Sequence, residues 1–158
     1  MAWEIERKFI VGDDAWRNDV ETSRAIIQAY IAIDGDTSVR VRISDGKDAR
    51  ITVKMGAPDI TRSEFEYPIP LEDAQALVAA NRERSIDKRR HIIRADGYVW
   101  EVDVFSGPLS GLVVAEVELQ SETDAPPLPD WLGREVTGDP DWSNAMLAVR
   151  GRPADTRP

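Results

Sequence analysis

The chain has 158 residues, about the length of one ordinary domain, and its 20 basic and 29 acidic residues give a formal charge of −9. With 42% apolar residues it is expected to fold as one globular unit, and its acidity argues against general binding to nucleic acid. The lack of cysteine and the single histidine exclude disulfides, thiolate metal sites, a cysteine nucleophile and zinc sites that need several histidines. Carboxylates would have to bind any metal ion, which favours Mg²⁺ or Mn²⁺.

No apolar run approaches the roughly 18 residues that a membrane-spanning helix needs. The N-terminus is charged from Glu4 onward, where a signal peptide would be apolar. We therefore expect a cytoplasmic protein without a membrane partner. A single domain is predicted over residues 1–150, followed by a flexible tail at 151–158.

Hydrophobic and polar residues alternate in short segments separated by turn residues, a pattern typical of antiparallel β-strands. Among these segments, a short helix is predicted after Asp13 or Asp14, a longer one from near Pro70, and a third that starts after Asp139-Pro140 and runs to Gly151. The pattern predicts a mainly antiparallel α+β protein, with eight strands forming a barrel or a sandwich and with peripheral helices. Five tryptophans are expected to pack these helices against the barrel exterior: Trp3, Trp16, Trp100, Trp131 and Trp142. The predicted strands are residues 3–11, 24–33, 38–44, 49–55, 61–68, 86–94, 98–105 and 112–120.

In nearly every predicted strand one face is charged and the other is apolar. The simplest interpretation is a sheet whose charged face is solvated. However, the charges occur as like-signed pairs two residues apart, and such pairs repel each other unless a ligand of opposite charge binds them. If the strands close into a barrel with apolar faces outward, these pairs would line a lumen suited to divalent cations and a polyanion. The pairs are Glu4/Glu6, Arg40/Arg42, Glu64/Glu66, Lys88/Arg90, Glu101/Asp103 and Glu116/Glu118.

The segment Glu4-Ile5-Glu6-Arg7-Lys8 has the form E-x-E-x-K, and an ordered series of further segments follows it to about residue 148. They are Gln28-Ala29-Tyr30-Ile31, Val39-Arg40-Val41-Arg42, Ile51-Thr52-Val53-Lys54, Arg62-Ser63-Glu64-Phe65-Glu66, Lys88-Arg89-Arg90, Glu101-Val102-Asp103-Val104-Phe105, Ala115-Glu116-Val117-Glu118-Leu119 and Trp131-Leu132-Gly133-Arg134-Glu135-Val136-Thr137. With these segments the chain resembles the CYTH superfamily, the triphosphate tunnel metalloenzymes, and in particular its short bacterial inorganic triphosphatases. The resemblance implies a closed eight-stranded tunnel and metal-dependent hydrolysis of inorganic triphosphate to pyrophosphate and phosphate.

The resemblance also implies roles for individual residues. Phosphoryl oxygens need several lysines and arginines along an extended path, and Lys8, Arg40, Arg42, Lys54, Lys88 and Arg90 supply them. The implied ligands of Mg²⁺ or Mn²⁺ are Glu4, Glu6, Glu116 and Glu118, and the predicted catalytic residues are Glu4, Glu6, Lys8 and Lys88. The other lumen carboxylates, which either share in metal binding or pair with the basic residues, are Glu64, Glu66, Glu101 and Asp103. Gln28 and Tyr30 share a strand face from which they could hydrogen-bond phosphate.

Other functions fit the same residues. An adenylate cyclase, or a nucleoside or thiamine triphosphatase of the same fold, would need a pocket for the organic group, and no such pocket can be assigned. A non-catalytic polyphosphate-binding domain would need the basic pairs but not the metal-binding carboxylates, so the acidic pairs favour an enzyme. The protein is expected to be a monomer or a homodimer.

Overall fold

The computed structural model describes residues 3–158, which form nine β-strands and two α-helices. All eight predicted strands are present, and every observed strand end lies within two residues of the predicted one. The strands are β1 (Trp3–Val11), β2 (Thr22–Asp34), β3 (Thr37–Ser44), β4 (Asp48–Met55), β5 (Thr61–Pro68), β6 (Ser85–Ala95), β7 (Tyr98–Phe105), β8 (Val113–Glu118) and β9 (Leu132–Glu135).

The first eight strands close into an antiparallel barrel in the order β5-β4-β3-β2-β6-β7-β8-β1, because β5 also pairs with β1. At this closure Glu4 lies opposite Arg62. Further along β1, the same edge pairs with β9, where Phe9 lies opposite Glu135. The sequence left a barrel and a sandwich open, and the structure is the barrel. Strand β9 was not predicted, because its four residues carry no alternation of charged and apolar side chains.

The apolar strand faces point outward and are covered. Helix α1 (Leu71–Ala79), predicted from Pro70, packs Ala74 and Val78 against the outer faces of β2, β3 and β4. The helix predicted after Asp13 or Asp14 is a short 3-10 helix, Ala15–Asp19, whose first backbone N–H donates to the Asp13 carboxylate at 2.8 Å. Its residue Trp16 is fully buried in a second outer cluster. Each large side chain buried in this way contributes about 1.5–3 kcal/mol to the free energy of unfolding.

The third predicted helix is wrong in extent and in position. Residues Pro140–Trp142 form a 3-10 turn, and α2 (Asn144–Arg150) begins only after Ser143, whose hydroxyl accepts a hydrogen bond from the Met146 N–H. We expected this segment on the barrel exterior. Instead Trp142 and Leu147 pack against residues such as Ile10 and Ile86, which lie on the same strand faces as the charged pairs. The segment therefore closes one end of the barrel with an apolar plug.

None of the helices in the described chain is long and apolar enough to cross a membrane. The last residues lie over β9, where the Arg134 guanidinium donates a hydrogen bond to the Asp155 carbonyl at 3.0 Å. The division into a domain at 1–150 and a flexible tail at 151–158 stays a prediction.

Candidate active site

The charged strand faces enclose a cavity of about 290 Å³ above the apolar plug. Seven carboxylates and five basic side chains line it, together with Trp3 and Asn144. The acidic residues are Glu4, Glu6, Glu64, Glu66, Glu101, Glu116 and Glu118, and the basic ones are Arg24, Arg40, Arg42, Lys54 and Arg90. The charged faces are therefore the inside of a tunnel and not a solvated surface.

The cavity brings together most of the residues that the sequence singled out. All four predicted metal ligands and four of the six predicted substrate-binding residues line it, the latter being Arg40, Arg42, Lys54 and Arg90. The two exceptions are Lys8 and Lys88. Lys8 lines a smaller cavity of about 50 Å³ that shares Glu6 with the main one. The Lys88 side chain is fully enclosed beneath the tunnel surface.

Two arginines of β3, the buried Arg40 and the half-buried Arg42, face the tunnel, and neither has a carboxylate partner in the described chain. Arg40 donates a hydrogen bond to the Thr52 hydroxyl at 3.3 Å, and its Nε has no partner. Arg42 donates from Nε to the amide oxygen of Gln28 at 2.9 Å. Within residues 3–158, neither arginine forms an ion pair, whereas a buried charge ordinarily has a counter-ion. Two neighbouring cations without carboxylate partners leave positive charge available to an anion in the cavity.

The positive field around these arginines is strong. Burial lowers the pKa of Arg42, and the charges of Arg40 and Arg90 lower it further, to about 9, although Asp103 acts in the opposite direction. At neutral pH the Arg42 guanidinium is still charged. An arriving anion would therefore relieve repulsion among three cations as well as form new hydrogen bonds.

The remaining predicted cations are paired with carboxylates. Lys54 lies 2.7 Å from Glu4, and Lys8 lies 3.4 Å from Glu116. Arg90 donates to Glu101 at 2.8 Å. The lumen carboxylates whose roles the sequence left open also form ion pairs: Glu64 with Lys54, Glu66 with Arg50, Glu101 with Arg90 and Arg24, and Asp103 with Arg90 and Lys88.

Asp103 holds two of these cations beneath the cavity. Arg90 donates to it through Nε and Nη2, both at 2.8 Å, and the Lys88 ammonium donates at 2.6 Å. Burial lowers the pKa of Lys88, and despite the attraction of Asp103 the nearby Arg90 and Arg42 help to bring it to about 7. The geometry therefore presents Lys88 as a support of the tunnel floor, next to Asn144 of α2 at 3.5 Å.

Carboxyl groups crowd together on the opposite wall. Burial raises the pKa of Glu6 well above its ordinary range, and the neighbouring Glu116 and Glu4 raise it further. The pKa of Glu116 is low, because Lys8, Arg90 and Lys88 outweigh its burial and because it hydrogen-bonds with Glu6. Two carboxyl groups this close share either a proton or a cation. The Glu6 and Glu116 pair is therefore the place in the tunnel best suited to a divalent metal ion.

The metal-binding capacity of the tunnel is limited. In the part of the chain that the structure describes, no three acidic or histidine side chains converge closely enough to hold an ion by themselves. Mg²⁺ is commonly bound by one or two carboxylates, with water and phosphate oxygens as its other ligands. The donor set of Glu6 and Glu116 fits that mode of binding.

Sequence reasoning missed four features of the site. Trp3 was expected to pack under a helix, but it is 51% exposed and lines the cavity. Arg24 was not singled out, and Asn144 could not be placed because the predicted helix began before the observed one. Thr52, fully buried, links Arg40 to Glu66 by hydrogen bonds of 3.3 and 3.0 Å. Its position between Arg50 and Lys54 on a charged face was the available signal.

Comparisons with known proteins agree with this geometry. The CYTH domain family matches residues 2–140. An inorganic triphosphatase of Acetivibrio thermocellus is 43% identical over 150 residues, which cover 93% of this chain and 94% of that protein. An inorganic triphosphatase of Nitrosomonas europaea is 35% identical over 151 residues, which cover 92% and 97%. The crystal structure of the inorganic triphosphatase NE1496 superposes with a TM-score of 0.67 at 32% identity, and the match covers 94% of this chain and 96% of that one.

Proposed function

The chain belongs to the CYTH domain family, and from this premise we propose that it hydrolyses inorganic triphosphate to pyrophosphate and phosphate inside its barrel. The observation that carries the proposal is a pair of arginines without carboxylate partners, Arg40 and Arg42, in a cavity whose other basic side chains are paired with carboxylates. The similarity to the inorganic triphosphatases over nearly the whole chain supports the same substrate.

Arg40 and Arg42 would bind the phosphoryl oxygens of the substrate. A guanidinium offers several N–H donors in a fixed plane, which suits tetrahedral phosphoryl groups better than a point charge does. Lys54 and Arg90 flank the two arginines in the cavity lining and would extend the cationic path along the chain of phosphates. Because both already have carboxylate partners, their contribution requires exchange of those partners for substrate oxygens.

The charge of the cavity calls for a cation as well as a substrate. Seven carboxyl groups line the cavity beside five basic groups, so a divalent cation that enters with the polyanion would offset the negative charge of the lining. We infer that Glu6 and Glu116 hold a divalent ion, with Glu4 and Glu118 as further candidate ligands. When bound, such an ion neutralises charge on the transferred and leaving phosphoryl oxygens. The choice between Mg²⁺ and Mn²⁺ stays a prediction.

The rest of the tunnel orients the substrate and restricts solvent. The apolar plug of Trp142 and Leu147 closes one end of the barrel, so the substrate enters from the end that carries Trp3. Lys88 and Asp103 lie at the base of the cavity in a buried hydrogen-bond network with Arg90, which reaches the cavity lining. In such an environment, fixed charges act on the phosphoryl groups more strongly than they would in water.

The experiment is a phosphate-release assay with purified protein and a panel of triphosphate, pyrophosphate, ATP and thiamine triphosphate, each with Mg²⁺ or Mn²⁺. We expect inorganic triphosphate to be the best substrate and EDTA to abolish turnover. Arg42→Gln should reduce kcat/KM, while the exposed Arg89→Gln on the barrel exterior serves as the matched control. Triphosphate binding without phosphate release under either metal would indicate a polyphosphate-binding domain instead. A cytoplasmic location and a monomeric or homodimeric state stay predictions.

A further inference from the structure

Gln28 of β2 has an unusual environment for an amide side chain. It is completely buried, and its oxygen accepts the hydrogen bond from Arg42 Nε at 2.9 Å. Its amide nitrogen is buried too and has no hydrogen-bond partner in the described chain. Gln28 is not among the side chains that line the cavity, whereas Arg42 is. Any influence of Gln28 on a ligand in the tunnel must therefore pass through Arg42.

Arg90 provides the internal comparison. It lies in the same tunnel and is buried, whereas Arg42 is half-buried, and the partners of Arg90 are the carboxylates of Asp103 and Glu101, at 2.8 Å each. Those two charges already neutralise the Arg90 guanidinium. Arg42 donates a hydrogen bond of comparable length to the Gln28 amide oxygen, which carries no negative charge. The two arginines thus differ in whether their partner is neutral or charged.

We propose that Gln28 is a positioning residue for Arg42, and that its neutral amide fixes the guanidinium in the tunnel while leaving its charge free for a phosphoryl group. A carboxylate at position 28 would orient Arg42 equally well but would compete with the substrate for it. An apolar side chain would leave the charge of Arg42 free, but the Arg42 guanidinium would lose its hydrogen-bond acceptor. This inference rests on the proposed function, because it assigns Arg42 to triphosphate.

The burial of Gln28 favours this role over ordinary packing. An unpartnered buried amide nitrogen costs free energy, and an apolar side chain at this position would avoid that cost. The cross-strand neighbour of Gln28 on β6 is Ile86, which belongs to the apolar plug. The site would therefore accept an apolar residue on packing grounds. Among the residues that the structure describes, the hydrogen bond with Arg42 is the one contact that requires the Gln28 amide.

Gln28→Glu is the decisive variant, because it preserves size and the acceptor but adds a negative charge. We expect KM for inorganic triphosphate to rise about tenfold or more and kcat to change by less than about threefold, since the lost interaction is one of binding. The increase in melting temperature that triphosphate causes should shrink, while the melting temperature without ligand should stay the same or rise. Gln75→Glu, on the exposed face of α1, is the matched control for net charge.

A double-mutant cycle separates positioning from a general structural effect. In an Arg42→Gln background, Gln28→Glu should have almost no further effect on KM, because the side chain through which it acts is absent. An unchanged KM in the single variant, or equal effects of Gln28→Glu with and without Arg42, would overturn the proposal. If the unaltered protein does not hydrolyse triphosphate at all, the proposed function fails, and that result is distinct from either of these.

Discussion

Lys54 of β4 and Glu4 of β1 form an ion pair of 2.7 Å across the tunnel, although their strands are not neighbours in the sheet. Strand β5 lies between them, and it closes the barrel on β1 through a short pairing of three residues. Burial alone would raise the pKa of the Glu4 carboxyl, but Lys54 and the hydrogen bonds from Glu64 and Lys54 lower it to about 2. The ion pair thus connects β4 to β1 on the tunnel side of β5, the strand that closes the barrel.

Removal of this cation should destabilise the barrel. In Lys54→Met the Glu4 carboxylate would stand beside Glu64 without its partner, and we expect the free energy of unfolding near neutral pH to fall by about 1–3 kcal/mol. Denaturant unfolding without added metal measures the change. Lys47→Met, on the exposed β3–β4 turn, is the control. Equal stability of the Lys54 variant and the unaltered protein would mean that the pair contributes nothing to closure.

Ligand binding should depend on the unpaired arginines. Triphosphate is expected to raise the melting temperature of the unaltered protein by mass action, with a smaller shift at higher salt. Arg40→Ala combined with Arg42→Ala should remove most of the shift, because these two side chains are the free cations of the cavity. Thermal scans with and without triphosphate test this. A shift of undiminished size would show that the anion binds elsewhere.

The carboxylate pair should be essential for turnover but not for folding. Glu6→Gln or Glu116→Gln preserves side-chain volume, removes a metal-binding charge and relieves the crowding of carboxyl groups. We expect turnover to fall by orders of magnitude in both variants. The melting temperature without metal should stay constant or rise in Glu6→Gln, whereas Glu116→Gln also removes the carboxylate partner of Lys8. Glu83→Gln, exposed and remote from the tunnel, is the control. Full activity of either variant, or of the unaltered protein in EDTA, would contradict metal binding at this pair.

The titration of Glu64 should be visible in the pH dependence of stability. Burial, followed by the charge of Glu4, raises its pKa from 4.5 to about 7 despite the attraction of Lys54. Between these two values the folded state holds more protons than the unfolded state, so this group makes the free energy of unfolding fall as pH rises. Glu64→Gln mimics the protonated form at every pH.

The gain in stability from Glu64→Gln should therefore be small at about pH 4.5 and larger at about pH 8, when both are measured in EDTA. Glu72→Gln, exposed on α1, should show no such trend. A gain that is constant with pH would mean that folding does not raise the pKa of Glu64.

The strands were predictable because charged and apolar residues alternate along them with a period of two. A barrel wall with one polar and one apolar face requires that period. The alternation that defines Arg40 and Arg42 on β3 also places both in the tunnel. Closure of the barrel depended on the resemblance, because the same alternation also fits a sandwich. Strand β9 exists only through its long-range pairing with β1, and no local sequence pattern indicates that pairing.

The site was less predictable in its details. A basic side chain in the tunnel is neutralised or not according to its partner on another strand. Arg90 has the carboxylate of Asp103, whereas Arg42 has the neutral amide of Gln28. Those partners lie 13 and 14 residues away along the chain. The apolar plug was missed because Ser143 interrupts the helical pattern, and because Trp142 and Leu147 match an exterior contact as well as an interior one.

The measurement that tests the central claim most directly is a competition assay with inorganic triphosphate and ATP present together. Within residues 3–158, Trp3 is the one aromatic side chain in the cavity lining, so the tunnel offers no aromatic pair to enclose a base. We predict cleavage of triphosphate to pyrophosphate and phosphate with kcat/KM about tenfold or more above that of ATP, which corresponds to at least about 1.4 kcal/mol in transition-state binding. A ratio that favours ATP, or cyclic AMP as the main product, would contradict the assignment.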